Sequence, residues 1–160
     1  MRIARLGAPE WGPVWARGAK EGVNQLSEET RMRGGQSLAE ALENYLAEWS
    51  ERTGIVVETW ALPATDVPAR VSSGVMVAMT EALSNVELHS RARVVSIAVT
   101  VGKSGLRLTV SDNGQGFPAA GAGRGIARMR AAFAEMGGSL SVNSVHGEGT
   151  TVSGMVPRQR

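Results

Sequence analysis

The chain contains no cysteine, which excludes disulfides, thiolate metal centres and cysteine nucleophiles together and suits the cytosol. Lysine is nearly absent as well: Lys20 and Lys103 are the only two, so the basic complement is almost all arginine. The formal net charge is only +2, and no dense Lys/Arg run with interleaved aromatics occurs, so the sequence points to no nucleic-acid partner. Two histidines, His89 and His146, leave little support for a zinc site or a nucleophilic triad. Aromatic residues make up just 4%, so a core must rest on Val, Leu, Ala and Met. No apolar run approaches the roughly 20 residues of a membrane span, and the first residues lack a signal-peptide core. The expectation is a cytoplasmic protein or fragment that makes no membrane contact itself. Its 160 residues fit one domain with a sizeable core and an accessory segment.

What is present is organised by glycine and by hydrophobic period. Residues 1–13 carry Gly7, Pro9, Gly12 and Pro13 and read as an irregular lead-in. A weak helical pattern with Trp15, Ala19, Val23 and Leu26 on one face runs from Val14 to about Met32, and Trp11 lies four residues before Trp15. Gly34-Gly35 breaks the chain. Ser37 then reads as an N-cap with Glu40 three residues on, followed by Leu38, Ala41, Leu42, Tyr45, Leu46 and Trp49 at helical spacing. Thr53-Gly54 ends that helix, and residues 55–60 have strand composition. Pro68 is expected as the first residue of the next helix, whose apolar face is Val71, Val75, Met79, Leu83 and Val86 to about Leu88. Two strands, 94–101 and 106–112, flank the turn 102–105. A glycine-rich stretch follows, then a helix from near Ile126 with Met129, Phe133 and Met136, stopped by Gly137-Gly138. A hairpin, 140–145 and 150–156, closes the chain. This order favours an α+β fold, a two-layer α/β sandwich in which a mixed sheet is covered on one face by helices.

Two stretches carry chemistry. Leu106, Leu108 and Val110 alternate and deliver Asp112 to the end of a strand, ahead of Asn113-Gly114-Gln115-Gly116-Phe117. An exposed turn explains Asn-Gly alone. An acid held at the rim of a sheet can also accept a hydrogen bond from an exocyclic amine, while the glycines let backbone approach a ligand. The second stretch is Glu81, Asn85 and His89, four apart on one helical face. A carboxylate, an amide oxygen and an imidazole in a row can serve a hard cation and the phosphates it carries; a solvated polar face is the plainer reading of those three alone. Gly102-Lys103-Ser104 imitates the end of a phosphate loop, but Ile97 stands where the loop needs glycine and a strand follows, so it reads as a hairpin turn.

In order along the chain these pieces are Glu81-x-x-x-Asn85-x-x-x-His89, Asp112-x-Gly114-x-Gly116, Gly121-x-Gly123-x-Gly125 and Gly147-x-Gly149-Thr150. Jointly they resemble the GHKL ATPases, the family of gyrase, MutL and the sensor histidine kinases. The likeness is greatest to the catalytic domain of kinases of the nitrate/nitrite-sensor and thermosensor type. It covers about Gln36 to Pro157, so residues 36–157 are expected to form the ATP-binding domain in the Bergerat fold. Residues 1–35 are then an N-terminal segment, the remnant of a dimerisation helix and linker. The resemblance implies ATP and Mg²⁺ as ligands, Asn85 holding the metal and Glu81 orienting a water or polarising the nucleophile. It implies that Asp112 reads the adenine amino group with Thr150 nearby, that Gly114 and Gly116 hinge a lid, and that Gly123 and Gly125 with Ile126 at the next helix offer amides to phosphate. His89, with Arg91 or Arg124, would add positive donors.

Three departures stand out. Leu88 occupies the position before His89 where the family carries Lys or Arg, and Arg124 stands in the lid where a smaller residue is usual. The phosphoacceptor histidine is missing, since His146 reads as a loop residue. The implied partners are therefore a histidine-bearing dimerisation domain and a downstream response regulator. Two alternatives remain open at this point: a serine/threonine kinase of the anti-sigma-factor type, and a non-catalytic nucleotide-dependent interaction module using Trp11 and Trp15.

Overall fold

The computed structural model describes residues 3–5, 37–116 and 123–158. The expected helix at 14–32, Trp11, Trp15, Phe117 and Gly121 lie outside the described residues. Within them the chain forms β1 (Ile3–Arg5), α1 (Leu38–Thr53), β2 (Val56–Ala61), α2 (Ala69–Asn85), a π-turn (Val86–Ser90), β3 (Val94–Gly102), β4 (Gly105–Asp112), α3 (Gly123–Glu135), β5 (Ser139–Val145) and β6 (Gly149–Pro157). The strands make one mixed sheet in the order β1-β2-β3-β4-β6-β5. β1–β2 and β2–β3 are parallel, and the remaining pairs are antiparallel. The strand Ile3–Arg5 stands where the glycines and prolines of the first residues suggested irregular chain; it lines up against the edge of β2.

Alternation places the core on one face. In β4, Leu106, Leu108 and Val110 are buried while Arg107 and Thr109 are exposed, and Val95, Ile97 and Val99 repeat the pattern in β3. The three helices cover that face. α1 starts as its sequence dictates: the Ser37 hydroxyl accepts from Glu40 N (3.2 Å) and donates to Glu40 Oε1 (3.1 Å). It buries Leu38, Leu42, Leu46 and Trp49, and Gly54 ends it at φ 76° with its N–H on Ser50 O. Pro68 caps α2 from the position before its first residue, because its ψ of 145° is extended. Gly137 (φ 78°) and Gly138 turn the chain out of α3, with Gly138 N bonded to Phe133 O at 2.8 Å.

α3 seats itself on the sheet through Phe133, which lies over Gly154 of β6. A Cβ at residue 154 would fall 2.8 Å from the ring's Cζ. Gly154→Val is therefore expected to destabilise the fold by about 1–3 kcal/mol through overpacking, measured as a lower urea midpoint at unchanged slope.

The helical winding changes where α2 ends. The periodic apolar face suggested α-helix to Leu88, but the α-helix stops at Asn85 and Val86–Ser90 form a π-turn closed by Arg91 in the left-handed region (φ 54°). Val86 and Ser90 are both buried, and Ser90 Oγ donates to Val86 O at 2.8 Å. Arg52 ties the end of α1 to this turn by a two-pronged pairing with Glu87, at 2.8 and 3.2 Å. The hydrogen bond from Arg52 holds the Glu87 carboxyl below the usual carboxylate range.

Candidate functional site

Asp112 is the last residue of β4, and period 2 extends the row Leu106, Leu108, Val110 to it. It therefore faces the space between sheet and helices, where a residue of an exposed turn would face water. Its Cα partner across the antiparallel pair is Thr150, at the start of the row Thr150, Val152, Gly154, Val156 on β6. Both are almost fully buried, Asp112 at 8% and Thr150 at 5% exposure. Burial pushes the Asp112 carboxyl above the usual aspartate range, although backbone hydrogen bonds from Gly114 and Thr150 oppose the rise. The bond from Gly114 N to Asp112 Oδ1 is 2.8 Å. Thr150 Oγ1 is 2.9 Å from Ser144 Oγ.

Across the interlayer space lies the C-terminal half of α2. Glu81 and Asn85 occupy consecutive turns, and both reach the first turn of α3 at Gly125. A Cβ added to Gly125 would be 3.1 Å from Glu81 Oε2 and 3.3 Å from the Asn85 side-chain amide atoms. A side chain at residue 125 would press on both groups, so the glycine lets the two helices close tightly here. Asn85 is buried, and its Nδ2 has no hydrogen-bond partner among the described residues. An orphaned amide beside an ionisable carboxylate is costly in a finished core and suits a site awaiting a ligand. The free amides of the α3 N-terminus favour an anion at the same place. Gly123 opens this turn with nothing near its Cβ position among the described residues, and Arg124 is exposed. Ile126 is half-buried and, with Gly123, Arg130 and Ser144, lines a cavity of about 370 Å³ beside β5.

The glycine-bearing loop after β4 is stapled to the π-turn. Gly114 packs on the Ser90 carbonyl so closely that a Cβ would collide with it. Gln115 N donates to Ser90 O at 2.7 Å, Gln115 Nε2 donates to His89 O at 3.0 Å, and Gly147 N donates to Gln115 O at 2.6 Å. Gly116 takes φ 74°, and a Cβ there would be 2.6 Å from Val145 O. The Asn113 side chain serves the fold: its Oδ1 accepts from Arg93 N and Val94 N, both at 3.2 Å, and fixes the start of β3.

The structure thus brings Glu81, Asn85 and Gly125 together, and sets Asp112 beside Thr150 at the rim. His89 belongs to the π-turn, beyond the α-helix that carries Glu81 and Asn85, and its backbone carbonyl accepts from Gln115 Nε2. Three residues at the site had no role assigned from sequence: Gln115, Ser90 and Arg128, whose Nη1 lies 3.0 Å from Glu81 Oε1. Arg128 follows Gly125 by three residues and so shares its helix face, the one signal that pointed to it. The lysine turn at 102–105 is a β-hairpin, as expected, at the far end of β4 from Asp112, where Lys103 and Arg158 border a separate cavity of about 480 Å³.

Residues 70–160 match the family model described as histidine kinase-, DNA gyrase B- and HSP90-like ATPase, which is more than half the chain. The chain belongs to this ATPase family. Within it the resemblance is to sensor histidine kinases. The chain is 35% identical over 126 residues to the sensor histidine kinase LiaS of Bacillus subtilis (strain 168), covering 77% of this chain and 35% of LiaS. It is 37% identical over 82 residues to the nitrate/nitrite sensor protein NarX of Escherichia coli (strain K12), covering 51% of this chain and 14% of NarX. Among solved structures, the histidine kinase domain of the blue-light activated kinase from Erythrobacter litoralis EL346 superposes with a TM-score of 0.67 at 25% identity, covering 76% of this chain and 61% of that one. The chain spans about a third of the length of LiaS and a smaller share of NarX, and corresponds to the catalytic ATP-binding domain of such kinases. No helix among the described residues is long and apolar enough to cross a membrane.

Proposed function

We propose that this ATPase domain binds MgATP between α2 and the β4–β6 rim and presents the γ-phosphate to a histidine on a separate dimerisation domain. The reading is carried by one observation. Two buried polar residues at a sheet rim, Asp112 and Thr150, face the same interlayer space as the Asn85 amide, which is unpartnered among the described residues and packs on the first turn of α3 at Gly125. Asp112 accepts from the adenine amino group, with Thr150 beside it. The amides at Gly123–Gly125 receive phosphate, Ile126 lies against the nucleotide, and Gly114 and Gly116, themselves held by close backbone contacts, are the fixed base from which a lid would hinge. Arg124, exposed at the first turn of α3, and His89 would serve as further donors to phosphate.

Mg²⁺ would be held by the Asn85 amide oxygen and otherwise by the phosphates; no cluster of three His, Cys, Asp or Glu among the described residues offers a protein cage for it. When bound it supplies charge neutralisation at the phosphates. The acceptor imidazole nitrogen attacks the γ-phosphorus; the N–P bond forms as the bond to the β–γ bridging oxygen breaks, and ADP leaves. Glu81 accepts a hydrogen bond from the N–H of the acceptor ring, offsets the positive charge that grows there and takes up that proton as the N–P bond forms. Positioning and electrostatics supply most of the rate, since no covalent protein intermediate is needed in this domain.

In this reading residues 36–157 are the ATP-binding unit, and residues 1–35 lead to it from a dimerisation helix, with Ile3–Arg5 adding an edge strand. The partners are that dimerisation domain and a response regulator, and the setting is cytoplasmic. Incubation with γ-labelled ATP and a histidine-bearing dimerisation domain tests it. Acid-labile, base-stable label on the added domain is expected. Nucleotide binding with no label transferred to any histidine would leave a binding module instead.

A further inference from the structure

Glu81 is the residue on which the transfer reading depends, and it is not a free carboxylate. Its Oε1 is 3.0 Å from Arg128 Nη1, and its Oε2 faces the turn at Gly125. Arg128 comes from α3, 47 residues further along the chain, so only the tertiary fold creates this contact. A carboxylate is planar, so holding one oxygen settles where the other points. Without a partner, the side-chain torsions of Glu81 would scatter Oε2 over several directions.

We propose that Arg128 is a positioning residue for phosphoryl transfer: by holding Oε1 of Glu81 it aims Oε2 at the space beside the α3 N-terminus. The inference rests on the reading of Glu81 as the group that polarises the acceptor. Arg128 and Gly125 lie one turn apart on the same helix, so the aim of the carboxylate is tied to the element that receives phosphate. The Arg128 side chain is 64% exposed, and an exposed pair adds little to stability. Its effect belongs in turnover and not in the melting temperature.

ADP release from MgATP by the 160-residue chain, with a histidine-bearing dimerisation domain added, is the assay. Wild type, Arg128→Ala, Arg128→Lys, Glu81→Gln and the double variant of Arg128→Ala with Glu81→Gln are compared. Arg128→Ala is expected to lower kcat by about 10-fold, with KM for MgATP changed by less than about twofold, because aim is lost and binding is kept. Arg128→Lys recovers most of the rate, since the contact is made by one nitrogen. In the Glu81→Gln background, Arg128→Ala costs nothing further. An unchanged kcat overturns the proposal, as does a loss that multiplies with that of Glu81→Gln. A raised KM with kcat retained also overturns it and assigns Arg128 to a phosphate. Wild-type turnover that is absent, or is matched by Glu81→Gln, removes the role of Glu81 itself, and the inference with it.

Discussion

Asp112→Ala is expected to weaken ATP binding by about 10- to 100-fold, the range for losing a hydrogen bond to a charged acceptor in a desolvated site. The carboxylate stands at the end of a rigid strand, pinned on one oxygen by Gly114 N, so it cannot be replaced by a neighbouring side chain. GTP carries a carbonyl where ATP carries the amino group, so a carboxylate repels it; preference for ATP should shrink in the variant. The same group makes a prediction in the opposite direction for stability. Its pKa is raised in the folded state, chiefly by burial. The folded chain therefore keeps the Asp112 proton at pH values where the unfolded chain has released it. That contribution to stability is fully present below the ordinary aspartate range and is lost as pH rises through the raised value. Asp112→Asn, which keeps the shape and removes the charge, is thus expected to melt higher than wild type at neutral pH. The difference should vanish in acid. ATP affinity should fall as pH drops through the raised pKa, because the protonated carboxyl is a poorer acceptor. Calorimetry across pH, beside thermal melts of both proteins, checks both signs.

Asn85→Ala is expected to reduce phosphotransfer by at least about 100-fold, comparable to losing one electrostatic contact to the reacting group. ATP affinity should also cease to respond to Mg²⁺. Stability should move by only about 1 kcal/mol or less, because the truncated side chain includes an Nδ2 that already lacks a partner among the described residues. A buried core asparagine would behave otherwise, and its removal would show first in the melting temperature. Phosphotransfer kinetics and denaturant unfolding on one preparation separate the two cases.

The parts of this molecule that were legible in its sequence are those set by local rules. Ser37 and Glu40 announce the start of α1, and the row Leu106, Leu108, Val110 carries Asp112 to the helix-facing side of the sheet without any tertiary information. Gly137 and Gly138 end α3 where a left-handed residue is needed. The coupling between the parts was not legible. The π-turn follows an apolar face that an α-helix would also satisfy, and it is selected by the Gln115 and Ser90 contacts across the fold. The Arg128–Glu81 pair joins two helices that only the sheet brings together, and in the sequence Arg128 is one more surface arginine. Asn113 read as half of an exposed Asn-Gly turn, yet its side chain anchors β3.

The central claim is the location of the nucleotide, and amide-resolved NMR during a MgATP titration of the wild-type chain tests it most directly. Saturable shifts are expected at Asp112, Gly114, Gly125 and Thr150, with Lys103 and the far hairpin silent. The account is contradicted if the folded chain shows no saturable change, or if the shifts gather around Lys103 and Arg158 at the opposite end of β4.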